Sequence, residues 1–295
     1  IMKVYSTAPS RLGIFGGSTD VEPYASEFGG AIINMAINIR QHVTLYDELH
    51  LSFPKDASPE FYLKMLDNYK LVNGVSSYFD GFIKSGLGSS GAAGVCLLGA
   101  INKKLNLNLS KNEIALRAWQ HEINMGIYTG KQDQFAAVYG GLNYISFGDK
   151  IDVVKIKVPS YDDLLGWMVL FHIGGKKKNH NSQRNFINLD RKKRKSLDII
   201  KYITGLALPM FLTGNYHEIA ELLNISWGYK KESNSNTVSN SEIDGIYSKA
   251  LKSGAIGGKI CGSGGGGYMF FMCEPEKREN LIKKMEETKI KHVDF

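Results

Sequence analysis

Residues 84–94 read Lys-Ser-Gly-Leu-Gly-Ser-Ser-Gly-Ala-Ala-Gly, and no other stretch narrows the possible folds as far. Gly86 and Gly88 open a loop in which no side chain shields the backbone N–H groups. Ser89 and Ser90 follow where a helix of small residues begins (Ala92, Ala93, Val95, Cys96, Leu97, Leu98). A glycine loop that feeds a helix N-terminus turns orphan donors and the positive end of the helix dipole toward one spot, which suits an anion. Two hydroxyls there can reach phosphate oxygens or a magnesium ion. No Gly-Lys-Ser/Thr closes the loop, so it is not a P-loop. No Val-Ala-Ile-Lys follows it, so it is not the glycine loop of a protein kinase. The residues alone leave two readings open: a phosphate loop, or a Gly-Ser connection before a tightly packed helix.

The 32 glycines outnumber the seven prolines and cluster in two further places. One is Pro9-Ser-Arg-Leu-Gly-Ile-Phe-Gly-Gly-Ser-Thr-Asp20, the other the run 257–267 with glycine at seven of its eleven positions. The second run has little helix or strand propensity of its own, which favours close backbone approach to a ligand over approach to a neighbouring loop. In the first, Arg11 offers charge, while Thr19 and Asp20 offer the groups that hold sugar hydroxyls. Their plain alternatives are a strand-end arginine and an Asx-type turn.

A chain of 295 residues can bury a full core, divided here into lobes at 1–160 and 161–295 around Pro159–Asp163. The net charge of +7 suits nucleic acid or small anionic substrates. No zinc-finger spacing or RNA-type aromatic motif accompanies the basic runs at 176–178 and 191–195, so no nucleic-acid partner is expected. No apolar run reaches the ~20 residues of a membrane span, so no membrane partner is expected either. Cys96, Cys261 and Cys273 form no pairing or metal pattern, which fits a reducing cytoplasm.

The pattern predicts strands over 2–15, 30–45, 164–173 and 268–273 and a hairpin over 142–158. It predicts helices over 59–78, 90–104, 111–125, 132–139, 190–213, 215–231, 242–252 and 276–288, with a Ser110–Glu113 capping box opening the third.

Glu122 and Asp133 are the carboxylates of interest. Phosphoryl transfer needs a cation on the phosphates and a group that orients or deprotonates the attacking hydroxyl, and one carboxylate suffices for each. Taken singly, Glu122 reads equally as a surface helix residue and Asp133 as a helix N-cap.

Three segments in order, Ala8-Pro-Ser-Arg-Leu-Gly-Ile-Phe-Gly-Gly17, Ser85-Gly-Leu-Gly-Ser-Ser90 and Lys259-Ile-Cys-Gly-Ser-Gly-Gly-Gly-Gly267, resemble the GHMP kinase family. The resemblance covers nearly the whole chain, with Gly130-Lys-Gln-Asp-Gln134 between the second and third. It implies an α+β fold of two lobes, the first like domain 2 of ribosomal protein S5 and the second ferredoxin-like. Segments 16–24, 130–137 and 238–247 are most similar to the branch acting on heptose phosphates. That likeness implies ATP-dependent phosphorylation of the anomeric hydroxyl of D-glycero-D-manno-heptose 7-phosphate to the 1,7-bisphosphate, toward nucleotide-activated heptose and surface polysaccharide. The alternatives are a fucokinase-like enzyme on a neutral sugar and a non-catalytic sensor of sugar and nucleotide.

Carried over by motif, Ser85, Gly86, Leu87, Gly88, Ser89 and Ser90 would wrap the ATP phosphates. Ser90 and Glu122 would hold Mg²⁺. Asp133 would act as base, with Arg11 stabilising charge beside it. Gly17, Thr19, Asp20, Gly265 and Gly266 would bind the sugar. The implied partners are ATP and a sugar phosphate, with a homodimer allowed. Lys84 departs from the family's small or neutral residue at that position. The basic loop suggests that Arg184 or Lys176–Lys178 grips the distal phosphate, although lysine runs in loops are usually only solvated.

Overall fold

The computed structural model describes residues 3–71, 74–83, 85–174, 189–233 and 238–295. They form two compact units: residues 1–11, 36–84 and 88–141 in the first, and 12–35, 85–87 and 142–295 in the second. Both sides of the 160/161 division fall in the second unit.

Two long strands, β1 (Val4–Phe15) and β2 (Gly30–Tyr46), with the short helix α1 (Tyr24–Phe28) between them in sequence, each have residues in both units and pair with each other. In the first unit, Gln41–Tyr46 of β2 pair antiparallel with β4 (Gly74–Phe79), and β3 (Leu51–Ser52) lies parallel on its far side. Helix α2 (Pro59–Asn68) and helix α3 (Ser89–Leu105) share a core with this sheet, in which Val4, Ala8, Val43, Leu45 and Val75 meet Phe61, Leu66, Ala92, Val95, Cys96 and Leu97. Small residues on α3 let its neighbours approach. A Cβ on Gly94 would stand 3.3 Å from Ala118 Cβ and 3.5 Å from Phe61. Helix α4 (Lys111–Asn124) starts on the expected capping box, and with α5 (Gln132–Tyr139) it packs on α3.

In the second unit, Gly30–Met35 pair antiparallel with β5 (Leu142–Phe147), which pairs with β6 (Asp152–Lys155) as the expected hairpin. After helix α6 (Tyr161–Trp167), β7 (Met168–Gly174), β8 (Ala255–Ile260), β9 (Gly267–Cys273) and β10 (Lys291–Val293) form an antiparallel sheet of order β10-β7-β9-β8. Helices α7 (Arg191–Thr213), α8 (Tyr216–Ser233) and α9 (Ser241–Lys252) lie between β7 and β8, and α10 (Arg278–Glu286) between β9 and β10. This strand order is the expected ferredoxin-like arrangement. Every residue of β9 is buried.

Three expectations are corrected. The helix expected over 59–78 stops at Asn68, because Lys70 turns left-handed (φ 55°), and the alternation of buried Val75, Ser77 and Phe79 then makes a strand. The strand expected from 164 begins only at Met168. Ser160 caps α6 by accepting from the Asp163 N–H at 3.1 Å, which carries Leu164 and Leu165 into a helix. Within the glycine run 257–267, residues 257–260 belong to strand β8.

Among the described residues, α7 alone is long and apolar enough to cross a membrane. It is striped: Leu197, Ile200, Ile203, Ala207 and Phe211 are buried, while Asp198 accepts from Tyr24 Oη at 2.7 Å and Lys201 donates to the Phe28 carbonyl at 2.7 Å.

Candidate active site

In the first unit, the start of α5 brings two consecutive side chains to two different ionisable partners. Asp133 binds Arg11, whose Nη2 lies 2.6 Å and Nε 2.8 Å from Oδ1. Gln134, fully buried, donates its amide to Glu122 Oε2. The helix cap is Lys131 and has no side-chain bond, so Asp133 is spent on Arg11 and not on capping. Both partners of the pair are largely buried, at 6% and 12% side-chain exposure. In such surroundings, removing one partner of an ion pair costs about 3–5 kcal/mol.

Asp133 also lies against the glycine loop. Gly88, left-handed at φ 76°, is the N-cap of α3. A Cβ there would come within 3.1 Å of Asp133 Oδ2, and one on Gly91 would come within 2.6 Å of Asp133 Cβ. Glycine at these two positions is what lets the carboxylate sit at the N-terminal end of α3.

Glu122 is buried on α4, not on its surface. Burial pushes its carboxyl up to about 8, with the Asp133 charge adding to the rise; hydrogen bonds from Ser90 and Gln134, and the Arg11 charge, oppose it. Its Oε1 has no hydrogen-bond partner among the described residues, while Ser90 beside it is exposed. Magnesium takes one or two carboxylates together with phosphate oxygens and waters, so a buried carboxylate oxygen next to an exposed hydroxyl fits that ion. Among the described residues no three His, Cys, Asp or Glu side chains gather as an all-protein metal cage.

In the second unit, the turn 16–20 is locked onto the start of β2. The Thr19 hydroxyl, fully buried, lies 2.8 Å from the Gly16 carbonyl oxygen and 2.9 Å from that of Ala31, and accepts from the Ala31 N–H at 3.0 Å. A Cβ on Gly16 would run into the Ala31 carbonyl, and one on Gly30 into the Thr19 carbonyl. Thr19 thus fixes the turn by backbone contacts. Asp20 is buried and Gly17 partly exposed. Two lysines reach the same turn. Lys230 of α8 donates to the Gly17 carbonyl at 3.2 Å and to Ser18 Oγ, and Lys259 of β8 donates to the Ile14 carbonyl at 3.4 Å.

Ser85–Leu87 are pinned to the hairpin of β8 and β9. Ser85 O accepts from the Tyr268 N–H at 3.1 Å, and a Cβ on Gly86 would strike the Cys261 carbonyl. The same close packing explains most of the glycines in 257–267. Gly257 lies against Ala220 of α8, Gly258 against Phe271, Gly262 against Gly86, Gly264 against Val238 and Gly267 against Ser85. Neighbouring chain, rather than a ligand, accounts for these five. The Gly265 N–H donates to Val238 O at 3.2 Å. Lys84, Lys176–Lys178 and Arg184 lie outside the described residues.

Gln134, Gly91, Lys230 and Lys259 were given no role by sequence reasoning. Gln134 and Lys259 stand inside quoted motifs, so position alone marks them. Lys230, flanked by Tyr229 and Lys231 on an amphipathic helix, gives no signal.

Residues 61–141 match the family description "GHMP kinases N terminal domain", and residues 207–291 match "GHMP kinases C terminal". The chain is 30% identical to the D-glycero-alpha-D-manno-heptose 7-phosphate kinase of Campylobacter jejuni, over all of this chain and 96% of that one. It is 24% identical to the L-fucokinase/L-fucose-1-P guanylyltransferase of Bacteroides fragilis, over 96% of this chain and 36% of that one. The crystal structure of a D-glycero-D-manno-heptose 1-phosphate kinase from Bacteroides thetaiotaomicron superposes with a TM-score of 0.80 at 25% identity, covering all of this chain and 95% of that one.

Proposed function

The chain belongs to the GHMP kinase family, and on that premise we propose that it transfers the γ-phosphoryl group of ATP to the anomeric hydroxyl of D-glycero-D-manno-heptose 7-phosphate. The observation that carries this reading is the Arg11-bound Asp133 carboxylate lying against Gly88 of the glycine loop. Phosphoryl transfer asks for a base beside the nucleophile and donors around the phosphates. Both requirements have their residues at that one loop.

In the proposed reaction Asp133 accepts the proton of the acceptor hydroxyl. That oxygen then bonds to the γ-phosphorus, and the bond to the bridging oxygen breaks to leave ADP. Arg11 holds the Asp133 carboxylate in place and balances its charge. Ser85–Ser90 wrap the phosphates. Ser90 and Glu122 would hold Mg²⁺, which when bound offsets phosphate charge. Asp20 and Gly17 bind the sugar, with Gly265 and Gly266 beside it, and Thr19 positions the turn. The acceptor is taken from the likeness to the Campylobacter jejuni relative across both whole chains. We also keep the lobes 1–160 and 161–295 as a proposal, since the family matches at 61–141 and 207–291 lie on either side of that division. Among the described residues Cys96, Cys261 and Cys273 join in no disulfide, which is in keeping with a reducing compartment such as the cytoplasm.

A fucokinase-like reading rests on the Bacteroides fragilis relative. An ADP-release screen over heptose 7-phosphate, unphosphorylated heptose and fucose separates the two. Turnover highest on heptose 7-phosphate is expected, and turnover highest on fucose would replace the proposed acceptor. ATP turnover on none of them would revive the sensor.

A further inference from the structure

Helix α4 carries two consecutive buried side chains that serve different neighbours. Glu122 meets Ser90 and Gln134, whereas His121 reaches α2, its Nε2 lying 2.8 Å from the Phe61 carbonyl oxygen. A carbonyl oxygen only accepts, so the ring carries its proton on Nε2. Burial pushes its pKa below the ordinary 6.5, which keeps the ring neutral. Between α2, α3 and α4 the first unit holds a cleft of about 330 Å³ that the proposed reaction leaves unused. Buried Met65, Leu98 and His121 line its interior, and exposed Asn68, Arg117, Gln120 and Asn124 line its mouth.

The lining has a definite chemistry. Gln120 Nε2 donates to Asn124 Oδ1 at 3.0 Å, one turn along α4. That bond leaves the Gln120 oxygen as an acceptor and an Asn124 N–H as a donor, side by side; with both amides turned over, the pair still offers one of each. An acceptor beside a donor is the pattern with which Asn and Gln amides read the N6 and N7 edge of adenine. Arg117, half exposed, donates to Tyr69 Oη at 3.3 Å and stands 4.0 Å from Glu113, an exposed pair of little worth. Its fork of five N–H donors therefore has capacity for a phosphate. The residues lining the cleft include one cation and no carboxylate, which favours an anion over a metal ion or an amine.

We propose that this cleft binds an adenine nucleotide, at a site separate from the glycine loop. The base lays its face on Met65 and Leu98 and its N6 and N7 edge on the Gln120–Asn124 pair, and Arg117 takes the phosphate. The volume is at the small end of ligand pockets, which fits a monophosphate. Leu98 stands eight residues beyond Ser90 on α3, about 12 Å of helix, so the cleft is set apart from the start of that helix.

The test photolabels the full chain with 8-azidoadenosine 5′-monophosphate and maps the label by mass spectrometry of peptides. Label is expected in the segments 65–69 and 117–124, whatever the glycine loop does, and AMP should protect them. The AMP concentration that halves this labelling should rise about ten- to a hundredfold in Arg117→Ala, the range for a lost charge-assisted hydrogen bond. In Gln120→Ala and Asn124→Ala it should rise about three- to tenfold each, the range for a neutral one. All three residues are exposed, so the variants should keep the fold. GMP should protect about five- to a hundredfold less well than AMP, because guanine offers two acceptors on the edge where adenine offers a donor and an acceptor. Absence of label from both segments, or protection that all three variants leave unchanged, overturns the site. Protection by GMP or heptose 7-phosphate at lower concentration than AMP overturns the adenine assignment.

Discussion

Arg11 gives both Nη2 and Nε to a single oxygen of Asp133, Oδ1, at 2.6 and 2.8 Å, while Oδ2 lies against Gly88. The carboxylate is thereby fixed at one end by a buried cation and at the other by the glycine that caps α3. Asp133→Asn should leave ATP affinity close to that of the unsubstituted chain and reduce turnover about 10²–10⁴-fold, the usual worth of a general base. The low end is expected, because a dissociative transition state asks little of a base. The same change removes the ion pair between Asp133 and Arg11, so a drop in melting temperature should accompany it. Calorimetric ATP binding and steady-state turnover, measured on one preparation, check both. Turnover within a few-fold of the unsubstituted chain would remove Asp133 from the chemistry.

Gly91→Ala tests the packing behind that geometry. In an open helix the change would stabilise by about 0.5–1 kcal/mol. Here the new methyl would stand 2.6 Å from Asp133 Cβ, an atom too close to its backbone to swing away. Overpacking of this kind costs about 1–3 kcal/mol, so the net effect should be destabilising, with turnover reduced at least tenfold as Asp133 is displaced. Denaturant melts and turnover measure the two effects, and a stabilised, fully active variant would contradict the packing.

Glu122 makes stability depend on pH. In the folded chain its carboxyl keeps its proton up to about pH 8, against an ordinary value of 4.5. Between those values the folded state binds the extra proton. The contribution is whole below about 4.5, declines as pH rises through the window and is lost above about 8, an effect on the order of a few kcal/mol. Glu122→Gln stays neutral. Without added metal, its melting temperature should match that of the unsubstituted chain near pH 5 and exceed it above pH 8. Magnesium must displace that proton, so the apparent magnesium requirement of the unsubstituted chain should fall about tenfold per pH unit from 6 to 8 and stay flat in the variant. Parallel magnesium titrations at three pH values read this directly.

Thr19→Val should cost about 1–3 kcal/mol, the penalty for taking the hydroxyl's hydrogen bonds from the Ala31 N–H and carbonyl and from the Gly16 carbonyl, which keeps the backbone N–H of residue 19. Thr19→Ser should restore most of the loss. Thermal melts separate the pair, and a valine variant as stable as the unsubstituted chain would mean that the turn is held by other contacts.

What the residues disclosed, and what they withheld, follows from the physics of each site. Local signals were legible: the Ser110–Glu113 capping box starts α4 where the spacing says it should, and the small residues of 90–104 make a buried helix. Carboxylate environments were not. Nothing in the periodicity of α4 says that Glu122 points inward, because burial of a carboxyl is granted by partners distant in sequence, here Ser90 and Gln134. The glycine run misled for a related reason. Its glycines answer close contacts with Ala220, Val238 and Ser85, positions that only the tertiary fold brings near. Lys230 and Lys259 reach the turn at Gly17 across a long sequence interval, and no local pattern records such a meeting.

The central claim is a phosphoryl transfer to the anomeric oxygen of a sugar that already carries a phosphate. Incubation of the full chain with ATP, magnesium and heptose 7-phosphate, followed by phosphorus NMR of the product, tests it most directly. The expected result is a second phosphate resonance coupled to the anomeric proton, with the original phosphate resonance retained and ADP formed in equal amount. A new phosphate on any other oxygen, or ADP release without a phosphorylated sugar, would contradict it.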